Sequence, residues 1–329
     1  MTVLAPTMEA FFTERLVAQR QASPHTIASY RDTFRLLLGF LQHRTGKPPC
    51  QLDLADLDAP AIGAFLDHLQ TTRHNSAATR NTRLVAVHSL FRFAALRHPE
   101  HAGLIQRVLA IPPKRTDRAL VSFLTEPEIE ALLASPDRAH WIGRRDHALL
   151  IVALQTGLRV SELIGLRCRD VSLGTGAHLR CSGKGRKERA TPLAAATVAV
   201  LSAWLNERAG APADPLFPTG RGGPLSRDAV ERLLAKHAAA ATQRCPSIGA
   251  KRLSPHVLRH SCAMQLLEAG IDPAVIALWL GHETTRTTDI YIHADLSTKE
   301  RALARTAPRG TPPGRYRPPD TLLAFLDSL

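Results

Sequence analysis

Apolar side chains at Ile27, Tyr30, Phe34, Leu37, Leu38 and Leu41 recur at the spacing that lines one face of an α-helix. Ser23 as N-cap and Pro24 in the first turn open this stretch, and Gly46, Pro48 and Pro49 stop it. A second long helix starts at Asn75 or Ser76, carries Leu84, Val87, Leu90, Phe91 and Ala94 on one side, and ends before Pro99. Arg80 and Arg83 lie a turn apart near its start. With shorter helical patterns around residues 7–21 and 60–70, these predict a four-helix domain.

The segment Ile111-Pro112-Pro113-Lys114-Arg115-Thr116-Asp117-Arg118 has no period and mixes proline with charge, the composition of a linker. A second domain then opens on Thr125-Glu126-Pro127-Glu128, a capping box before Ile129, Leu132 and Leu133. Helical patterns follow at 143–156, 194–208, 226–241, 256–269, 273–280, 284–293 and 298–305. Between the first two, residues 177–182 and 188–193 read as short strands joined by a glycine-rich turn. The expected fold is mainly α. A helical N-terminal domain covers 1–110, the linker 111–118, and a mostly helical second domain with a small antiparallel sheet 119–307. A proline-rich tail over 308–329 ends in a short apolar helix bearing Leu322, Leu323, Phe325, Leu326 and Leu329.

At 329 residues and 44% hydrophobic content the chain holds enough apolar material for two cores. Charge narrows the choice of partner: 42 Lys and Arg against 29 Asp and Glu leave a net +13, which points to a polyanion. The excess is spread along the chain, with 11 basic against 8 acidic residues in 1–100, 15 against 9 in 101–200 and 16 against 12 in 201–329. Such a spread suits a protein that wraps a duplex and argues against a detachable basic tail. Cys50, Cys168, Cys181, Cys245 and Cys262 contain no C-x-x-C pair, so their spacing supports neither a zinc site nor a disulfide framework. No carboxylate or histidine cluster has ligand spacing, and no metal is expected. The N-terminus lacks a basic region before an apolar stretch, and no apolar run approaches the roughly 18 residues of a membrane span. A cytoplasmic protein without membrane association is the expectation.

Candidate chemistry lies in the second domain. Arg159 follows Gly157 after an apolar helix, with Glu162 a turn further on. A planar guanidinium matches phosphate geometry and Glu162 would hold it in place, although an ordinary structural Arg–Glu pair has the same spacing. Lys184 lies between Gly183 and Gly185 in the turn joining the strands, where backbone can approach a ligand closely. An ammonium there can reach a DNA groove and protonate a leaving oxygen; Lys187, three residues on, competes for that role. Ser254-Pro255 begins a helix with His256 in its first turn and Arg259 one turn later on the same face, where free amides favour an anion. His260 is expected to point elsewhere and to be structural. His282 follows a helix break at Gly281, and Tyr291 comes nine residues later. Taken singly they fit a capping histidine and a core tyrosine. A phenol becomes a useful nucleophile when neighbours take its proton and stabilise charge on the group it attacks, and the upstream cations and imidazoles offer such neighbours.

In residue type, order and spacing these segments resemble tyrosine recombinases of the phage integrase family, which includes Xer-like and transposon-borne members. The likeness covers about residues 7–305. The N-terminal domain is similar to the family's helical, SAM-like core-binding domain, including its Ser-x-x-Thr-Arg pattern, here Ser76-Ala77-Ala78-Thr79-Arg80. The resemblance implies the tyrosine recombinase fold and a catalytic set of Arg159, Lys184, His256, Arg259, His282 and Tyr291, with Glu162 in support. Arg80, Arg83 and Lys187 are the further cations expected to contact DNA.

It also implies that Tyr291 attacks a phosphodiester of double-stranded DNA to give a 3′-phosphotyrosyl link and a free 5′-hydroxyl, with no cofactor. Arg159 and Arg259 would neutralise the transition state, Lys184 would protonate the leaving oxygen, His256 would assist proton transfer from Tyr291, and His282 would hydrogen-bond the phosphate. The implied assembly is a homo-oligomer, a tetramer on paired sites, which partner recombinases can join. The expected role is in a mobile element or in chromosome resolution. Two other readings share part of the pattern: a type IB topoisomerase and a non-catalytic DNA-binding accessory protein. The helical N-terminal domain and short length argue against the first, and the six intact positions against the second.

Overall fold

The computed structural model describes residues 4–116, 122–183 and 188–281, and the chain divides into two units, residues 1–118 and 119–329. In the first unit α1 (Leu4–Ala10) runs into a wider-wound stretch over Phe11–Gln19, where the Arg20 amide bonds five residues back to Arg15 O at 3.0 Å. α2 (Pro24–Thr45) begins where Ser23 Oγ accepts from the Thr26 amide at 3.2 Å. It ends at Gly46, whose φ of 73° supplies the left-handed turn. α3 (Ala59–Thr71) and α4 (Ala77–Ala94) are capped in the same manner by Asp58 and Ser76. Their apolar stripes meet at Phe11, Phe34, Phe65 and Phe91, all buried, with Phe11 edge-on to Phe34 at 6.0 Å. Burial of each ring stabilises by roughly 2–3 kcal/mol before the entropy of ordering is counted.

The expected four helices are joined by α5 (Ala102–Leu109), which buries Ile105 and Val108. Its eight residues span little more than two turns, too few for the period to stand out. The start of the expected linker also belongs to this unit. Ile111 packs on the core, and Asn81 Nδ2 donates to Lys114 O at 2.7 Å while its Oδ1 accepts from the Lys114 amide at 3.0 Å. α4 thus holds the chain as far as residue 114.

The second unit opens on α6 (Glu126–Leu133), where Glu128 Oε2 accepts from the Thr125 amide at 2.8 Å as the capping box requires. α7 (Trp141–Thr156) is the central helix, with Ala148, Leu149, Leu150 and Val152 fully buried. A short α8 (Val160–Gly165) precedes an antiparallel sheet of β1 (Val171–Ser172), β2 (His178–Ser182) and β3 (Glu188–Pro192), paired in that order with Cys181 opposite Arg189. β1 is the strand the sequence pattern misses, since two residues cannot show alternation. α9 (Ala195–Arg208), α10 (Arg227–Thr242), α11 (Pro255–Glu268) and α12 (Pro273–Leu280) follow the helical patterns closely. Buried His237 on α10 meets Asp146 of α7 at 2.9 Å, and Arg145 binds the same carboxylate at 2.6 Å, so a hydrogen-bonded triad ties the two helices. The patterns at 284–293 and 298–305 and the tail lie outside the described residues. Among the described residues no helix is long and apolar enough to cross a membrane.

Candidate active site

Arg159 stands at the N-terminus of α8 in extended conformation, φ −64° and ψ 151°. The first amides of a helix lack intrahelical acceptors, and Glu162, one turn on, accepts from the Arg159 amide at 2.8 Å through Oε2. The carboxylate then turns back to the side chain: Oε1 accepts from Arg159 Nη1 at 2.9 Å. A second cation completes the shell. Arg189, on β3, donates to Oε1 at 3.1 Å and to Oε2 at 2.8 Å. Burial alone would raise the Glu162 pKa, but the Arg189 fork, the Arg159 amide and the Arg159 guanidinium hold it below the usual carboxylate range.

Arg259 and His256 come from α11, whose start is set by Ser254 as N-cap and Pro255. Arg259 is buried at 4% exposure and donates from Nη1 to Gly157 O at 2.6 Å and from Nη2 to Leu280 O at 2.8 Å. Arg159 Nη2 takes the next carbonyl, Gly281 O, at 2.9 Å. Two guanidinium groups from different helices therefore grip consecutive carbonyls at the C-terminus of α12, the negative end of its dipole. Glycine is required on both sides of this junction. Gly157 has φ 59°, and a Cβ on it would lie 2.5 Å from Leu280 Cδ2 and 3.1 Å from Cys262 Sγ. Gly281 has φ 66°, and a Cβ there would lie 2.6 Å from Arg189 Nη1.

His256 is exposed in the first turn of α11. Its pKa is lowered by the burial of part of its ring, then by Arg259, Arg227 and Arg159. Arg259 lies one turn from His256 on α11, and Arg159 binds the carbonyl next to the one Arg259 holds, so the three share a neighbourhood. His260 does not point away from this group as expected. Four residues on from His256, it returns to the same helical face, and the two rings stack at 6.2 Å with a 30° tilt. Burial, His256 and Arg259 lower its pKa to about 4.

Lys184, Lys187, His282 and Tyr291 lie outside the described residues. Of the expected cations in the first unit, Arg80 is buried at 5% exposure, and its Nη1 donates to Pro112 O at 3.3 Å and to Asn81 Oδ1 at 3.2 Å. Through Nη1, Arg80 ties Pro112 to α4. Arg83 is half-buried, with its pKa lowered by burial and then by Arg73. Arg189 is the participant that motif reading misses. A signal for it was present: β3 alternates, and Arg189 shares the inward face with buried Thr191, a place where a charge needs a partner.

Comparison with known proteins gives concordant matches. Residues 122–297 match the model described as the phage integrase family, and residues 10–98 match the phage integrase N-terminal SAM-like domain. The Sinorhizobium fredii protein named "Putative integrase/recombinase y4rC" is 57% identical over 326 residues, covering 99% of this chain and 98% of that protein. The tyrosine recombinase XerC of Pelobacter propionicus is 33% identical over 317 residues, covering 94% of this chain and 99% of the relative. A crystal structure of the XerH site-specific recombinase bound to difH substrate, a pre-cleavage complex, is 25% identical with a TM-score of 0.62, covering 87% of this chain and 81% of that one.

Proposed function

The chain belongs to the phage integrase family, the tyrosine-type site-specific recombinases, and we propose that Arg159, Arg259 and His256 form the phosphate-binding part of its active site, completed by Lys184, His282 and Tyr291. The observation that carries this reading is the double grip on α12. Arg159 and Arg259 bind Gly281 O and Leu280 O, the two carbonyls immediately before His282. The residues that hold phosphate are thereby anchored to the chain segment that leads to the nucleophile. The topoisomerase and accessory-protein readings are not favoured by the relatives.

The substrate is double-stranded DNA. Tyr291 Oη attacks the scissile phosphorus, the bond to the 5′-oxygen breaks, and that oxygen takes up a proton, for which Lys184 is the donor. The product is a 3′-phosphotyrosyl ester, and attack by a 5′-hydroxyl of the partner strand reverses the step on new DNA. One phosphoester replaces another throughout, so the balance calls for no external energy source. The guanidinium groups oppose the charge that builds on the non-bridging oxygens, where preorganised donors have their largest effect. Neutral His256 accepts the phenol proton. Exchange of both strands between two duplexes needs four nucleophiles, which supports a tetramer on two paired sites. The five cysteines without pairing spacing fit work in the cytoplasm, where the DNA is.

The decisive experiment uses a nicked suicide duplex carrying the sequence that the protein protects in footprinting of DNA flanking its own gene. The parent protein should accumulate a covalent adduct in the presence of EDTA. Tyr291→Phe should bind the duplex with unchanged affinity and form none. An adduct from Tyr291→Phe would remove Tyr291 from the role of nucleophile.

A further inference from the structure

Arg189 sits where three pieces of the candidate site meet. Its guanidinium forks onto both oxygens of Glu162, its Nη1 fills the space where Gly281 would carry a side chain, and its backbone is the second residue of β3. Its side chain is 14% exposed against 30% for Arg159. Arg159 therefore keeps an open edge while Arg189 is enclosed. An enclosed guanidinium bound to a carboxylate does not reach a DNA backbone, so any effect it has on chemistry passes through Glu162.

We propose that Arg189 is a positioning residue for strand cleavage: by sharing Glu162 it keeps Arg159 oriented, and partly unspent, for the scissile phosphate. The proposal rests on the reading of Arg159 as a phosphate ligand. Each Glu162 oxygen accepts two hydrogen bonds, one from Arg159 and one from Arg189. Remove Arg189 and each oxygen has a place to fill. Arg159 is the other cation already bound to this carboxylate, and a carboxylate relieved of one cation attracts the other more strongly. Loss of Arg189 thus turns Arg159 towards Glu162 and away from phosphate. Arg189 exerts this effect without touching DNA.

The test compares Arg189→Ala and Arg189→Lys with the parent protein on three versions of the footprinted suicide duplex. The first has an ordinary scissile phosphate. The second has a methylphosphonate, which lacks the negative charge that Arg159 would meet. The third has a 5′-bridging phosphorothiolate, whose sulfur leaves without a proton and so bypasses Lys184. Thermal stability and DNA affinity are measured alongside. Arg189→Ala should slow adduct formation roughly 10- to 100-fold on the ordinary phosphate, the scale of a misplaced catalytic group. The defect should shrink to a fewfold on the methylphosphonate and persist on the phosphorothiolate. Arg189→Lys restores the charge without the fork and should recover part of the loss; if Arg189→Ala does not fold, Arg189→Lys carries the same comparison. An equal defect on all three substrates, relief on the phosphorothiolate instead, or no defect on the ordinary phosphate would each overturn the proposal. Failure of the parent protein to form any adduct would instead overturn the recombinase site on which it rests.

Discussion

At the scale of single residues, the site is built from ionisable groups whose charge states burial and neighbours have moved. Glu162 is held ionised by two arginines, with a folded pKa below its ordinary 4.5. Its contribution to stability is complete above that value and is lost as pH falls through the folded one. The imidazoles act in a higher window. An unfolded histidine takes up its proton near 6.5, whereas folded His260 does so at about 4. The folded state is therefore disfavoured as pH drops through this interval, by on the order of 2 kcal/mol once solvent screening is allowed for. Melting temperature should hold above about pH 6.5 and decline below it, and His260→Gln should flatten that decline. A parent protein equally stable from about pH 7 to pH 5 would contradict the assignment. His256 is shifted in the same direction, so its ring stays neutral and able to accept a proton somewhat below its ordinary pKa. Adduct formation on the suicide duplex should accordingly persist to a lower pH than an unshifted imidazole would allow, and an acid limb with its midpoint above about pH 6.5 would argue against His256 as the acceptor.

At the scale of elements, the junction of α7, α11 and α12 depends on a glycine for two separable reasons. Gly157→Ala places a Cβ in a left-handed conformation and against Leu280, which should cost about 2–4 kcal/mol, measured as a lowered denaturant midpoint at constant slope. Gly46→Ala is the control: its φ is similar at 73° but nothing lies within 4 Å of the added carbon, so only the conformational part remains, about 1–2 kcal/mol. Equal losses at the two sites would mean that Leu280 gives way. Helices of this kind were legible in the sequence because Ser23, Ser76, Ser254 and Gly281 mark their ends and the apolar period fills the interior. What was not legible depended on partners distant in the chain. The bond from Arg80 to Pro112 O and the approach of His260 to His256 are visible only once the chain is folded. Arg189 carried no motif at all, since its meaning comes from Glu162, 27 positions earlier. β1 and α5 were too short to show a period.

At the scale of the whole molecule, a net charge of +13 spread through both units should make counterion release a large contribution to DNA affinity. The affinity of the full chain should fall with salt by about 0.9 in log–log slope for each phosphate contact. Cleaving the chain within 117–121, beyond the residues that α4 retains, should leave two fragments that each bind far more weakly than the intact protein, because the tether raises the local concentration of the second contact. A fragment covering 122–329 that matched the full chain would refute a two-part grip. The carbonyls that Arg159 and Arg259 seize belong to residues 280 and 281, more than 100 positions after Arg159 is synthesised. On the ribosome the arginines emerge first and wait for their anchor, so a partly made or truncated chain carries the cations without their fixed aim. On the proposed assignment of Arg159, Arg259 and Tyr291, the chain is therefore competent to cut DNA only after α12 and the residues beyond it have emerged, and early termination should leave a product that adheres to DNA without cutting it.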